Sequence, residues 1–292
     1  MLYRIFKGEI MNIQSLSIVV PTGKCWNQCK FCVSRMHKEN YGDNIVTEHC
    51  IPTSYLDRIK FVRDEGCNTM IFTGVAEPQQ NLPFIYNLLD ENRKLPKPFY
   101  NIAIQTTGTG LYYNDIFQLA QKGVTTLAIS LNSFNDEENW NICNALSGAR
   151  TMTTEDLITA AHLSNMNVRL CYNLTSAFNK YSFDEMIQYA TDRNIEQVTF
   201  RKIYASGNNE ASKWIEEHEY KNLDMIRIQI QTQGNLIAKL PYGFLQYSIK
   251  GTSVVLDDDC MSKDKTEEMK YAILRPNGHL YSRWDDKGSL IF

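Results

Sequence analysis

The chain has 292 residues, enough to bury a sizeable core in one large domain or two smaller ones. With 43% hydrophobic and 22% charged residues it has an ordinary globular composition, and a net charge of −3 without a basic run argues against nonspecific binding to duplex nucleic acid. No stretch approaches the roughly 18 apolar residues of a membrane span, and eight cysteines are too sparse for a disulfide scaffold.

The N-terminal MLYRIFKGEIMNIQ carries no signal-peptide pattern, so the expected compartment is a reducing cytoplasm. Clustered cysteines there are more often metal ligands or catalysts than disulfide partners. The first β-type run is SLSIVVP (15–21), followed at once by the cysteine-rich TGKCWNQCKFCV (22–33). Pro52-Thr53-Ser54 then opens a predicted helix to about Glu65, and NTMIFTG (68–74) is the second strand. Leu82 to Lys94 is helical, YNIAIQTT (100–107) extended, Tyr113 to Lys122 helical and TTLAISLN (125–132) extended. Thr154 opens a helix before the strand NVRLCYNLT (167–175), and Ser182 with Glu185 has capping-box spacing before QVTFRKIY (197–204). A last helix is predicted from Glu216 to Gln233.

This alternation predicts an α/β fold with a parallel sheet buried on both faces, either an incomplete (β/α)6 TIM-type barrel or a doubly wound sheet. After about residue 235 the pattern becomes purely β-type, with turn signals at Lys250-Gly251 and Pro276-Asn277-Gly278. The expected division is a barrel over 1–234 and a small antiparallel extension over 235–292 that covers the barrel's open side.

Cys25, Cys29 and Cys32 are spaced C-x₃-C-x₂-C. Structural zinc wants four ligands, and adding His37 does not produce a familiar finger spacing. A thioredoxin-like C-x-x-C leaves Cys25 unexplained. A four-iron cluster normally takes four thiolates, so three leave one iron open to another ligand, on the loop after the first strand where barrel active sites lie.

The spacing, with Phe31 before the last cysteine, resembles the signature of radical S-adenosylmethionine (SAM) enzymes. The resemblance implies a [4Fe-4S] cluster on Cys25, Cys29 and Cys32, SAM on the open iron, and a 5′-deoxyadenosyl radical that takes hydrogen from a substrate. TGVAEP (73–78) is similar to the family's GGE or G-x-GEP segment, which implies that the backbone at Gly74 and the carboxylate of Glu77 hold the SAM ammonium, with Ala76 where glycine is usual. By the same resemblance Thr106 in QTTGTG lies beside SAM, and Ser130 and Asn132 point at its ribose or methionine part. Asn173 stands at the same barrel end, and Arg201 meets the SAM carboxylate or an anionic substrate.

The other cysteines are Cys50, Cys67, Cys143, Cys171 and Cys260, too scattered to suggest a second cluster. Cys143 and Cys260, in loop-like stretches, are candidate hydrogen donors, and Tyr281 in the final hairpin is a further catalytic candidate. LRPNGHLYSRWD (274–285) is similar to the last hairpin of relatives of the molybdenum-cofactor cyclase and of peptide-modifying enzymes, with Ser282 and Arg283 where a cluster cysteine often follows. The expected partners are a small-molecule, nucleotide or peptide substrate and an electron donor such as flavodoxin or ferredoxin. The absence of a recognisable leader-binding segment favours the small molecule or nucleotide. A rival reading is a non-catalytic barrel that holds zinc or a sensing cluster.

Overall fold

Six parallel strands form in the predicted places: β1 (Ile13–Val19), β2 (Thr69–Thr73), β3 (Asn101–Thr106), β4 (Thr126–Leu131), β5 (Asn167–Leu174) and β6 (Gln197–Lys202). The computed structural model describes residues 13–36, 42–144, 152–205, 207–240, 243–258 and 269–284. The helices are α1 (Val33–Met36), α2 (Thr53–Asp64), α3 (Leu82–Lys94), α4 (Tyr113–Gln121), α5 (Asp136–Cys143), α6 (Thr154–Leu163), α7 (Phe183–Thr191), α8 (Glu210–Glu217) and α9 (Leu223–Gln233). The predicted capping box starts α7: the Ser182 hydroxyl accepts the Glu185 N–H at 3.2 Å, and the Glu185 carboxylate accepts the Ser182 N–H at 2.7 Å.

The single helix predicted from Glu216 to Gln233 is instead two, α8 and α9. Between them the backbone turns to the end of β5, where Ser176 N–H donates to the His218 carbonyl at 2.7 Å and Glu219 bridges Thr175 antiparallel. Tertiary pairing there outweighs helix propensity.

The C-terminal strands are β7 (Asn235–Lys239), β8 (Leu245–Ile249), β9 (Thr252–Asp257), β10 (Met269–Leu274) and β11 (Leu280–Tyr281). They pair antiparallel as β7-β8-β9 and β10-β11. Lys250 and Gly251, both at positive φ (49° and 87°), make the tight turn between β8 and β9. Two of these strands also lengthen the parallel array: β9 runs parallel to β6, and β10 parallel to β1. The sheet order is β11-β10-β1-β2-β3-β4-β5-β6-β9-β8-β7. The extension therefore shares the barrel's own sheet. β9 and β10 are not ladder neighbours, yet they meet through a buried ion pair, Lys270 Nζ to Asp257 Oδ1 at 2.6 Å.

The sheet is not apolar on both faces, as the continuous-looking runs suggested. Leu16, Ile18, Phe72, Ile104, Leu127, Ile129, Leu170 and Phe200 all point at the helices and join a core with Tyr55, Ile59 and Val62 of α2 and Phe84 and Leu88 of α3. Each such fully buried side chain contributes about 2 kcal/mol. The alternate positions line a lumen with small, polar or charged groups: Ser15, Thr69, Arg169, Thr199 and Arg201. Register sets them in rows, with Asn173, Arg201 and Asp257 level on β5, β6 and β9.

Candidate active site

Residues 20–32 leave the C-terminal end of β1 as a loop across the barrel mouth. Cys25, Cys29 and Cys32 are half-buried free thiols, and all three line one cavity of about 1040 Å³ with Val75 and Trp214. Its far wall is α8, where Trp214 meets the Phe31 ring at 5.7 Å between centroids and stacks on His218 at 4.1 Å. Ser34 lies 2.9 Å from the Cys32 sulfur and donates its hydroxyl to the Val75 carbonyl at 3.2 Å, which ties the last cysteine to the loop after β2.

The loop is tied down by amides rather than by apolar packing. Gln80 accepts the Trp26 N–H at 3.2 Å and donates to the Lys24 carbonyl at 3.0 Å, while Asn81 donates to the Pro21 carbonyl at 2.7 Å. Asn27, buried between two of the cysteines, donates to Glu77 at 3.0 Å and to Thr107 Oγ1 at 2.8 Å, and accepts from Thr109 Oγ1 at 3.0 Å. Glu77 is itself buried. It also accepts from Gln79 Nε2 (3.1 Å), Thr106 Oγ1 (2.5 Å), Thr107 N–H (3.1 Å) and Thr107 Oγ1 (2.9 Å). A carboxylate offers about four lone-pair sites, so protein donors take all of them.

The turn before Glu77 depends on Gly74, where a Cβ would lie 3.0 Å from the Ala76 carbonyl oxygen. Ala76 keeps negative φ, so alanine fits where the family's glycine is usual. Gly110, at φ +74°, leaves room for Trp26, whose ring a Cβ would meet at 2.2 Å. Gly110→Ala is expected to destabilise the chain by about 1–3 kcal/mol and to push Trp26 out of place. Urea unfolding combined with tryptophan fluorescence checks both.

At the ends of β4 and β5 the expected residues do converge. Asn132 is fully buried, accepts from Asn173 Nδ2 at 3.0 Å, and donates to Asn139 Oδ1 at 3.1 Å and to the Cys143 sulfur at 3.2 Å. Ser130, half-buried, accepts from Gln105 Nε2 at 2.7 Å. Cys143 is not in a loop: it ends α5, is buried, and its carbonyl accepts the Gln28 N–H at 2.9 Å. Its thiol stands behind Cys29 and, with burial, holds the Cys29 thiol well above the usual thiol range; burial also raises Cys25. In metal-free protein Cys143→Ala is expected to lower the Cys29 pKa. Its alkylation at pH 8 should then speed up, because only the thiolate reacts. Peptide mapping after timed iodoacetamide treatment measures it.

Arg201 faces the lumen with its Nε 3.3 Å from Asp257 Oδ2. Tyr281 is buried against Val19 and Ile273, with its hydroxyl accepting from Asn277 Nδ2 at 3.0 Å. Cys260 and His37 lie outside the described residues. Sequence reasoning missed Asn27, Gln79, Gln80, Thr107 and Trp214. The amide-rich PQQN after Glu77 was the available signal for two of them.

The donor set suits an iron–sulfur cluster: three thiols on one cavity wall, spread along a loop. Among the described residues no three His, Cys, Asp or Glu side chains converge on a single metal ion. The parallel α/β barrel with a cysteine loop at its mouth defines the class, and residues 19–192 match the radical SAM superfamily. The chain belongs to that superfamily, whose enzymes use a [4Fe-4S] cluster and SAM. Its fold is similar to Streptococcus suis SuiB bound to S-adenosylmethionine, with TM-score 0.60 and 15% identity over 96% of this chain and 62% of SuiB. The same SuiB bound to its precursor peptide SuiA gives 0.58 and 13%, over 96% of this chain and 61% of SuiB. The structure of anSMEcpe with bound AdoMet and Kp18Cys peptide gives 0.56 and 13%, over 92% of this chain and 74% of anSMEcpe. The chain thus spans less than two thirds of SuiB, and identities this low show the fold alone. No curated protein matches by sequence. No helix among the described residues is long and apolar enough to cross a membrane.

Proposed function

We propose that Cys25, Cys29 and Cys32 hold the [4Fe-4S] cluster and that the enzyme abstracts hydrogen from a peptide substrate seated in the barrel. The observation that carries the first part is the single cavity lined by all three thiols, on a loop anchored to β3 through Asn27 and Glu77. Bound together, the cluster and SAM supply one-electron reduction and a hydrogen-abstracting radical. The protein's share is to hold and shield them. Phe31 and Trp214 exclude water from one side of the cysteine cavity, and Asn132 and Asn173 present a fixed polar edge at the strand ends. Glu77 acts on this reading as the anchor of the cysteine loop, with Thr106 its donor. Arg201 sits in the lumen, on the side where substrate enters.

The peptide is favoured over the nucleotide or small molecule by fold likeness to SuiB and anSMEcpe, both of which have been captured with peptides. Fold alone does not settle a substrate. A low-potential donor such as flavodoxin or ferredoxin supplies the electron, and the cytoplasm is the compartment. Anaerobic purification tests the reading: brown protein with about four irons, forming 5′-deoxyadenosine from SAM and dithionite, is the expected result. Colourless protein with stoichiometric zinc overturns it.

A further inference from the structure

The lumen holds charges that the cysteine loop does not explain. A cavity of about 370 Å³ reaches from the row of Arg169, Gln197 and Ser253 up to the row of Arg201 and Asp257. Arg169 is four residues below Asn173 on β5, about 13 Å at about 3.3 Å per residue. Among the described residues its one hydrogen bond runs from Nε to Gln197 Oε1 at 2.8 Å. The two Nη groups, with four N–H donors, border the cavity without a protein acceptor among the described residues.

The neighbouring charges do not neutralise it. Asp257 is engaged by Arg201 at 3.3 Å and by Lys270 at 2.6 Å. Burial lowers the pKa of Arg169 from the usual guanidinium value, opposed by Cys171 and reinforced by a smaller repulsion from Arg201. Sheltering a guanidinium this way is costly unless an anion completes its fork, and carboxylate and phosphate oxygens match that geometry with two parallel bonds.

We propose that the lower lumen is a recognition site for an oxyanion, a carboxylate or phosphate at the far end of the substrate, gripped by the Nη groups of Arg169. The assignment to substrate rests on the function proposed above; the anion site itself does not. It sharpens the substrate to an elongated molecule whose anion is held from the Arg169 position, four residues below Asn173 on β5. An acidic peptide side chain and a phosphorylated molecule share this chemistry.

The test is thermal unfolding of the anaerobic holoprotein against succinate and inorganic phosphate, each compared with sodium chloride at equal ionic strength. Saturable stabilisation of the wild type by succinate assigns a carboxylate, and by phosphate a phosphate. Arg169→Gln is expected to raise the half-saturating concentration at least about tenfold. Arg169→Lys keeps the charge and loses the fork, and should weaken binding similarly if the glutamine variant fails to fold. Neither anion stabilising the wild type, or equal stabilisation of wild type and variants, overturns the proposal. Iron content of the same wild-type preparation separates the two readings. Anion binding without iron sinks the cluster and keeps this site; iron without anion binding does the reverse.

Discussion

Alanine at Cys25, Cys29 and Cys32 together is expected to remove all cluster iron and reduce 5′-deoxyadenosine formation to background. The three thiols share one cavity, and none is held in a disulfide that would compete with metal. Cys143 does not rescue the site. It stands behind Cys29, outside the cavity lining, with its sulfur engaged by Asn132. Metal and sulfide analysis, with chromatography of the nucleoside product, measures both losses. Full iron in the triple variant would place the cluster elsewhere. The chain should stay folded, because the loop's anchors lie on Asn27, Gln80 and Asn81 rather than on the cysteines.

Glu77→Gln is expected to destabilise the metal-free chain by about 2–4 kcal/mol and to impair iron loading with it. The carboxylate collects donors from Asn27, Gln79, Thr106 and Thr107, and an amide presents one N–H₂ into that ring of donors. The outcome separates two roles. A glutamate whose only partner was the SAM ammonium would leave the stability of the metal-free chain unchanged and weaken SAM binding alone. Urea unfolding of the metal-free variant, set beside SAM affinity of the loaded one, distinguishes them. A double-mutant cycle with Asn27→Ala should show coupling of about 0.5–3 kcal/mol, since the two side chains touch.

Most of the scaffold was legible because its signals are local. Strand and helix periods, the Ser182 capping box and the Lys250-Gly251 turn each act over a few residues, and apart from the helix over 216–233 they formed where expected. The two-faced character of the strands was also written in the chain. Arg169, Cys171 and Asn173 alternate with Val168, Leu170 and Tyr172, but strings such as SLSIVV read as simply apolar unless serine is taken as lumen-facing. What stayed hidden depends on contacts between residues far apart in sequence. Asn27 meets Thr109, 82 residues on, and nothing near Asn27 marks it as more than a loop residue. Cys143 looked solitary because its neighbour Cys29 lies on another strand's loop. The break between α8 and α9 arises from pairing with Thr175, invisible to any helical period.

The wiring of the cysteine loop bears on how the enzyme matures and survives oxygen. In proteins whose metal supplies the folding energy, apo chains are unfolded and loss of metal is loss of structure. Here the loop is moored to the segments after β2 and β3 by Asn27 and its partners rather than by the cysteines, so its anchorage does not depend on metal. Assembly machinery can then deliver iron and sulfide to a finished protein. After oxidative damage the vacated socket can be refilled in place, without passing through an unfolded chain exposed to proteases.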